Sequence, residues 1–243
     1  MDKLLNAEVR VFPDLETLSR GAAEESARAA IDAVQTRGRC LISLSGGHTP
    51  SRMYELWATE YRDKIPWAKM HFFWGDERFV AADDPKSNYR MAKMSLLELV
   101  PVPGENIHPI PTTGATADES AQAYEETLRG FFGDTGPTFD ILFLGMGGEG
   151  HTASLFPDSP ALTEQKRWAV SVRAPADPPV RVSLTFPVLR RARETCFLVA
   201  GADKRPIIEM LKNEPKRAMR ELPMAMLRPE GTAIWFLDQA ANA

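Results

Sequence analysis

Glu149 and His151 stand two positions apart with Gly150 between them, straight after Gly145, Gly147 and Gly148. An imidazole beside a carboxylate supplies a general base and a group to orient it. Glycines at such a place let the backbone take positive φ and leave no Cβ between the chain and a ligand. A lone histidine after a turn commonly does no more than cap the next helix. Four glycines within Gly145–Gly150 favour a binding or reacting site instead.

Ser45-Gly46-Gly47-His48-Thr49-Pro50 is the second stretch with chemical content. It follows an apolar run, and Thr49 is expected to N-cap a helix with Pro50 at its first position. Free N–H groups and the positive end of a helix dipole then converge on one spot, which suits a phosphate. The same residues also serve as a plain connection. Asp76-Glu77-Arg78 closes the apolar run Met70 to Trp74 and reads either as a solvated salt-bridged corner or as the rim of a site. Arg181 and Lys204 add two cations, Arg181 opening its strand and Lys204 following Gly201. An anion loop, cations and a His/carboxylate pair together suit acid/base chemistry on a phosphorylated small molecule. GxSxG and HExxH are both absent, so neither a serine nucleophile elbow nor a zincin site is expected.

The elements that would position these residues follow from periodicity. Ile141 to Leu144 is a continuous apolar run, as expected of a parallel strand covered on both faces. Strands are also expected at 39–44, Met70 to Trp74, Trp168 to Val172, Val182 to Thr185, Thr195 to Ala200 and Ala233 to Leu237. Helices are expected at 14–37, after the Thr49 cap through Trp57, at 88–100 with an apolar face of Met91, Met94, Leu97 and Val100, at 116–132, and after Lys204 through Lys212. Alternation of this kind predicts an α/β fold: one domain over 1–243, with a doubly wound, mostly parallel, Rossmann-like sheet and helices on both faces. Ligands bind such sheets beyond the carboxyl ends of the strands, where all these loops fall.

With 44% hydrophobic residues in 243, the chain can bury a substantial core. A net charge of −4 and scattered basic residues predict no nucleic-acid or membrane partner. Cys40 and Cys196 lie in apolar runs as free thiols, and no metal-ligand spacing exists. MDKLLNAEVR lacks a signal-peptide core, so a cytoplasmic protein is expected. Gly145 to Gly150 also matches GxGxxG after a strand, which keeps a dinucleotide-binding protein as the alternative. Against it, Pro157 and Pro160 interrupt the helix that motif should open, and the next strand ends in Arg173 rather than an acid.

The blocks LSGGHTP (Leu44 to Pro50), WGDERFV (Trp74 to Val80), SNY (Ser87 to Tyr89) and GMGGEGHTASLFP (Gly145 to Pro157) resemble the 6-phosphogluconolactonase family. RVSLT (Arg181 to Thr185) and GADK (Gly201 to Lys204) extend the resemblance over nearly the whole chain. It implies the fold of the glucosamine-6-phosphate deaminase superfamily, hydrolysis of a sugar-phosphate lactone in the oxidative pentose phosphate pathway, and no cofactor; no metal and a monomer or weak homo-oligomer are expected beside it. It further implies His151 as the base, with Glu149 or Asp76 orienting it. Ser45, Gly46, Gly47, Thr49, Arg78, Gly147, Gly148, Arg181 and Lys204 would bind substrate and phosphate, and N–H groups of the 145–150 loop would receive the oxyanion. Two positions depart from the family: Glu149 replaces the usual aspartate, and His48 stands where serine is frequent.

Overall fold

The computed structural model describes residues 3–5 and 7–242. Its strands are β1 (Lys3–Leu4), β2 (Ala7–Phe12), β3 (Cys40–Leu44), β4 (Met70–Trp74), β5 (Asp76–Arg78), β6 (Ile141–Leu144), β7 (Ala169–Arg173), β8 (Val180–Leu184), β9 (Glu194–Val199) and β10 (Thr232–Asp238). The main sheet runs β1-β2-β10-β9-β6-β3-β4, parallel throughout except for the β1–β2 pair. Strand order reverses between β3 and β6, because the chain passes outward from β3 to β4 and then returns to β6. That crevice is where an open α/β sheet holds its ligand. The α/β class and the parallel sheet agree with the sequence.

Helices α1 (Leu15–Arg37), α2 (His48–Glu60), α3 (Asn88–Ala92), α4 (Ala117–Phe132), α5 (Phe186–Leu189), α6 (Arg205–Asn213), α7 (Pro215–Glu221), α8 (Pro223–Met226) and α9 (Gln239–Asn242) complete the fold. Local chemistry sets several ends. Asp14 and Thr17 form a capping box at the start of α1, and Gly38 closes it at φ 77°. Thr116 and Glu119 form a second box at α4. Among the described residues no helix is long and apolar enough to cross a membrane.

Three expectations need correction. Thr49 is not the N-cap of α2: the helix begins at His48, two residues before Pro50, and Gly47, at φ 108°, occupies the cap without a side-chain bond. The helix capped by Ser87 does not run to Val100 as one α-helix, because α3 passes into a π-helical turn at Lys93–Leu97. The wider turn rotates the apolar face, so Met94 points outward at 56% exposure while Leu96 and Leu97 are buried. Finally, β7 and β8 do not join the main sheet. With β5 they form a separate antiparallel sheet in the order β5-β8-β7.

Gly75 joins the two sheets. Its N–H donates to Leu44 of the main sheet at 3.0 Å, and its carbonyl accepts from Leu184 of the small one at 2.9 Å. Two buried tyrosines fix the strand ends beside it. Tyr54 of α2 donates to the Ser45 carbonyl and accepts its N–H at 3.1 and 3.0 Å, and Tyr124 of α4 brackets Trp74 in the same manner at 3.0 Å. Full burial raises both phenols well above the ordinary tyrosine range.

Candidate active site

Strand pleat decides what Asp76, Glu77 and Arg78 do. Alternate residues of β5 face opposite ways, so Asp76 and Arg78 share one side and Glu77 takes the other. Glu77 is buried and its carboxylate accepts the N–H groups of Arg78, Asn88 and Tyr89 at 2.7 Å each, plus the Ser87 hydroxyl at 3.1 Å. Burial raises its pKa, and the three backbone donors oppose that rise. Glu77 therefore fastens the start of α3 to β5. The triplet is a largely buried edge strand rather than a solvated corner.

On the other side, Asp76 and Arg78 line a cleft of about 400 Å³ with Ser45, Gly46, Gly47, Thr49, Gly147, His151, Arg181 and Lys204. Ten of the twelve residues expected at the site thus meet on one wall-to-wall surface. Gly148 and Glu149 are exposed and do not line it, and Glu149 meets the site through His151. Glu149 Oε2 lies 3.1 Å from His151 Nδ1. The angle between them is too poor for a well-formed hydrogen bond, and Nδ1 has no other partner. The contact is therefore chiefly electrostatic. Burial raises the Glu149 pKa, but its own backbone N–H, His151 and Lys204 outweigh burial and hold it below the usual carboxylate value. With Nδ1 turned to Glu149, Nε2 is the nitrogen left for the cleft. Phe156 supports the ring, centroid to centroid, at 4.3 Å.

Asp76 does not touch the imidazole. Its Oδ2 accepts the Ser154 hydroxyl at 2.6 Å, and its backbone carbonyl accepts the Asn88 amide at 2.9 Å. Of the two carboxylates offered for His151, the structure brings Glu149 to it.

The glycine loop spends its own donors. Gly147 N–H donates to the His151 carbonyl and Gly150 N–H to the Gly147 carbonyl, both at 3.0 Å. Gly147 and Gly150 therefore have no free N–H to offer an oxyanion, and Gly148 is not among the residues that line the cleft.

Arg78 and Arg181 are direct cross-strand partners of β5 and β8. Residues opposed in this way share a face, and like charges so placed repel. Each head is held by a carbonyl, Arg78 Nη1 by Lys86 at 2.6 Å and Arg181 Nε by Pro178 at 3.1 Å. Arg78 Nε is buried without a partner. Burial, with Arg78 adding to it, lowers the Arg181 pKa against the pull of Asp76, Glu149 and Asp177. Two opposed guanidinium groups in a cleft form a receptor for a multiply charged anion. Lys204, paired with Asp203 at 2.8 Å, and the uncapped start of α2 face the same space.

Asn88 is the residue sequence reasoning missed. It is buried in the cleft wall, its amide donates to Asp76, and a Cβ at Gly46 would fall 1.8 Å from its Oδ1. Gly46 must be glycine for the two loops to touch. At its position in the sequence, Asn88 is only the residue after a helix cap. The stretch after Gly150 also settles the alternative reading of the loop: it continues in turns and a short 3-10 helix (Pro160–Thr163), not in the long helix that a dinucleotide motif opens.

Comparison with known proteins agrees with this geometry. A family model described as glucosamine-6-phosphate isomerases/6-phosphogluconolactonase matches residues 13–235. The 6-phosphogluconolactonase of Synechocystis sp. is 44% identical over 213 residues, 86% of each chain. That of Mycobacterium tuberculosis is 35% identical over 246 residues, 98% of each. Among solved structures, the 6-phosphogluconolactonase from Trypanosoma cruzi superposes with a TM-score of 0.86 at 28% identity, covering 98% of this chain and 97% of its own. The chain belongs to the glucosamine-6-phosphate isomerase/6-phosphogluconolactonase family.

Proposed function

We propose that the protein, acting as one domain over residues 1–243, hydrolyses 6-phospho-D-glucono-1,5-lactone to 6-phosphogluconate in the oxidative pentose phosphate pathway. The observation that carries this reading is the meeting, in one cleft, of the Glu149–His151 pair with the opposed guanidinium groups of Arg78 and Arg181. One half suits proton transfer and the other suits a phosphate held away from the reacting carbon.

His151 Nε2 takes a proton from a water whose oxygen bonds to the lactone carbonyl carbon. Glu149 steadies the ring and the positive charge it gains. When the tetrahedral intermediate collapses, the bond from carbonyl carbon to ring oxygen breaks. The imidazolium then returns its proton to that oxygen, leaving a carboxylic acid that ionises in water. Phosphate binding at Arg78, Arg181, Lys204 and the Ser45–Thr49 loop orients the ring, so that remote binding energy serves the reaction. With the Gly147 and Gly150 N–H groups already hydrogen-bonded, charge developing on the carbonyl oxygen is left to the other N–H groups of the 145–150 loop. The Arg181 guanidinium lies 5.4 Å from the centre of the Phe156 ring that also supports His151.

The test is turnover of freshly generated 6-phosphogluconolactone, corrected for spontaneous opening, with glucosamine-6-phosphate as control. Lactone hydrolysis without deamination is expected. Deamination without lactone hydrolysis would overturn the reading.

A further inference from the structure

We infer that Asp238 is a positioning residue for Lys204 and thereby a determinant of phosphate affinity, although it lies outside the cleft. The inference rests on the reading of Lys204 as a phosphate contact.

Asp238 ends β10 and is 6% exposed. Both of its carboxylate oxygens accept the N–H of Gly201 at 3.0 Å, and Oδ1 also accepts the N–H of Ala241 at 2.8 Å. The Gly201 peptide continues the chain of contacts, since its carbonyl accepts the N–H of Lys204 at 3.1 Å. One glycine thus ties the carboxylate on its N–H side to the lysine on its C=O side. Gly201 sits at φ 105°, a conformation that L side chains rarely adopt, and a Cβ there would fall 2.7 Å from Asp203 Oδ1. A second tie runs between the same two segments: the Arg205 guanidinium donates to the Ala240 carbonyl at 3.3 and 3.2 Å.

Capping of the short helix α9 would need only the bond to Ala241. The two oxygens on Gly201 do something more, because that peptide starts the 3-10 turn Ala202–Lys204 at the cleft. A hydrogen bond to a buried carboxylate is among the stronger kinds, and a flexible lysine gains from having its backbone fixed. The last strand of the sheet, remote in sequence from the glycine loops, therefore sets where the ammonium stands.

The experiment is a double-mutant cycle of Asp238→Asn and Lys204→Ala, read as KM and kcat on the lactone, with amide exchange at Gly201 read in parallel. Asn keeps the shape and Oδ1 but puts an NH2 group in place of Oδ2, against the Gly201 N–H, and removes the charge. Asp238→Asn is expected to raise KM about tenfold, equivalent to ~1.4 kcal/mol, with kcat within about twofold of wild type. In the Lys204→Ala background the same substitution should leave KM unchanged, which a general loss of stability would not produce. If Asp238→Asn fails to fold, Arg205→Met cuts only the outer tie and should show the same loss of effect beside Lys204→Ala, with a smaller rise. Additive effects on KM in either cycle would overturn the inference. A wild-type protein inactive on the lactone would instead refute the proposed reaction. Fast exchange at Gly201 in Asp238→Asn against protection in wild type would still report the tie itself.

Discussion

Gly147 and His151 are packed so closely that a Cβ on Gly147 would fall 2.0 Å from His151 Nδ1 and 2.6 Å from Glu149 Oε2. The bare backbone of Gly147 is the surface against which the imidazole and its carboxylate meet. Its φ lies outside the left-handed region, so the backbone itself would accept alanine. Gly147→Ala should fold normally and lose on the order of 10²-fold in kcat, the usual effect of moving a catalytic group by about an ångström. Circular dichroism alongside turnover checks this, and an active Gly147→Ala would show that the ring has room the structure denies it.

His151→Ala removes the proposed base and should cost roughly 10²–10⁴-fold in kcat with little loss of stability. Glu149 is held below the usual carboxylate value, so at neutral pH it is ionised beside the ring. Glu149→Gln should lower kcat, while Glu149→Asp should retain most of it. A folded His151→Ala protein turning over at the wild-type rate would move the base elsewhere.

Arg78 and Arg181 repel one another across the β5–β8 pair, and an anion between them relieves the repulsion. Inorganic phosphate should therefore raise the Tm of the wild type, by linkage to binding. Arg181→Met should lose most of that rise. Lys204→Ala should raise KM more than it lowers kcat, since phosphate is held about equally in ground and transition states. A phosphate-dependent rise undiminished in Arg181→Met would separate the anion site from this pair.

Stability toward acid should depend on His71 and His108. Nδ1 of one lies 3.3 Å from Nε2 of the other, with ring centroids 5.6 Å apart and planes 15° from parallel. At that separation one ring's N–H donates to the unprotonated nitrogen of the other, which fixes opposite tautomeric roles for the two facing nitrogens. Burial lowers both pKa values, and His108 and Arg39 lower that of His71 further. The folded state thus resists a proton that the unfolded chain accepts below about pH 6.5. The unfolded state binds more protons in that window, so stability is present above it and is lost as pH falls toward the depressed values. Replacing both histidines by glutamine should flatten the decline of Tm between about pH 6.5 and 5. An unchanged slope would assign the acid sensitivity to other groups.

Much of this protein was legible in residue order alone, wherever the deciding forces act over a few neighbouring residues. The apolar run Ile141–Leu144 could only be a covered strand, and Met70–Trp74 was bounded correctly. Asp14, Gly38, Ser87 and Thr116 mark helix ends through contacts within four residues. The glycines and histidine after β6, the loop after β3 and Lys204 after β9 could be placed at strand ends, because parallel strands bring those ends to one side. Other features depend on pairings between segments far apart in the chain, which no local pattern records. The β2 strand was missed, and three-residue β5 exists only because β8 hydrogen-bonds it. The opposition of Arg78 and Arg181 is a matter of register in that pair. The outward turn of Met94 follows from one π-helical turn that periodicity does not foresee. The choice between Glu149 and Asp76 was likewise out of reach. Ser154 and Asn88 hold Asp76 through contacts made only once the two sheets pack, and that leaves Glu149 beside His151. Sequence alone determined which residues could do the chemistry. Tertiary structure decided which of them touch, because hydrogen bonds and charge contacts a few ångströms long are set by the packing of distant segments.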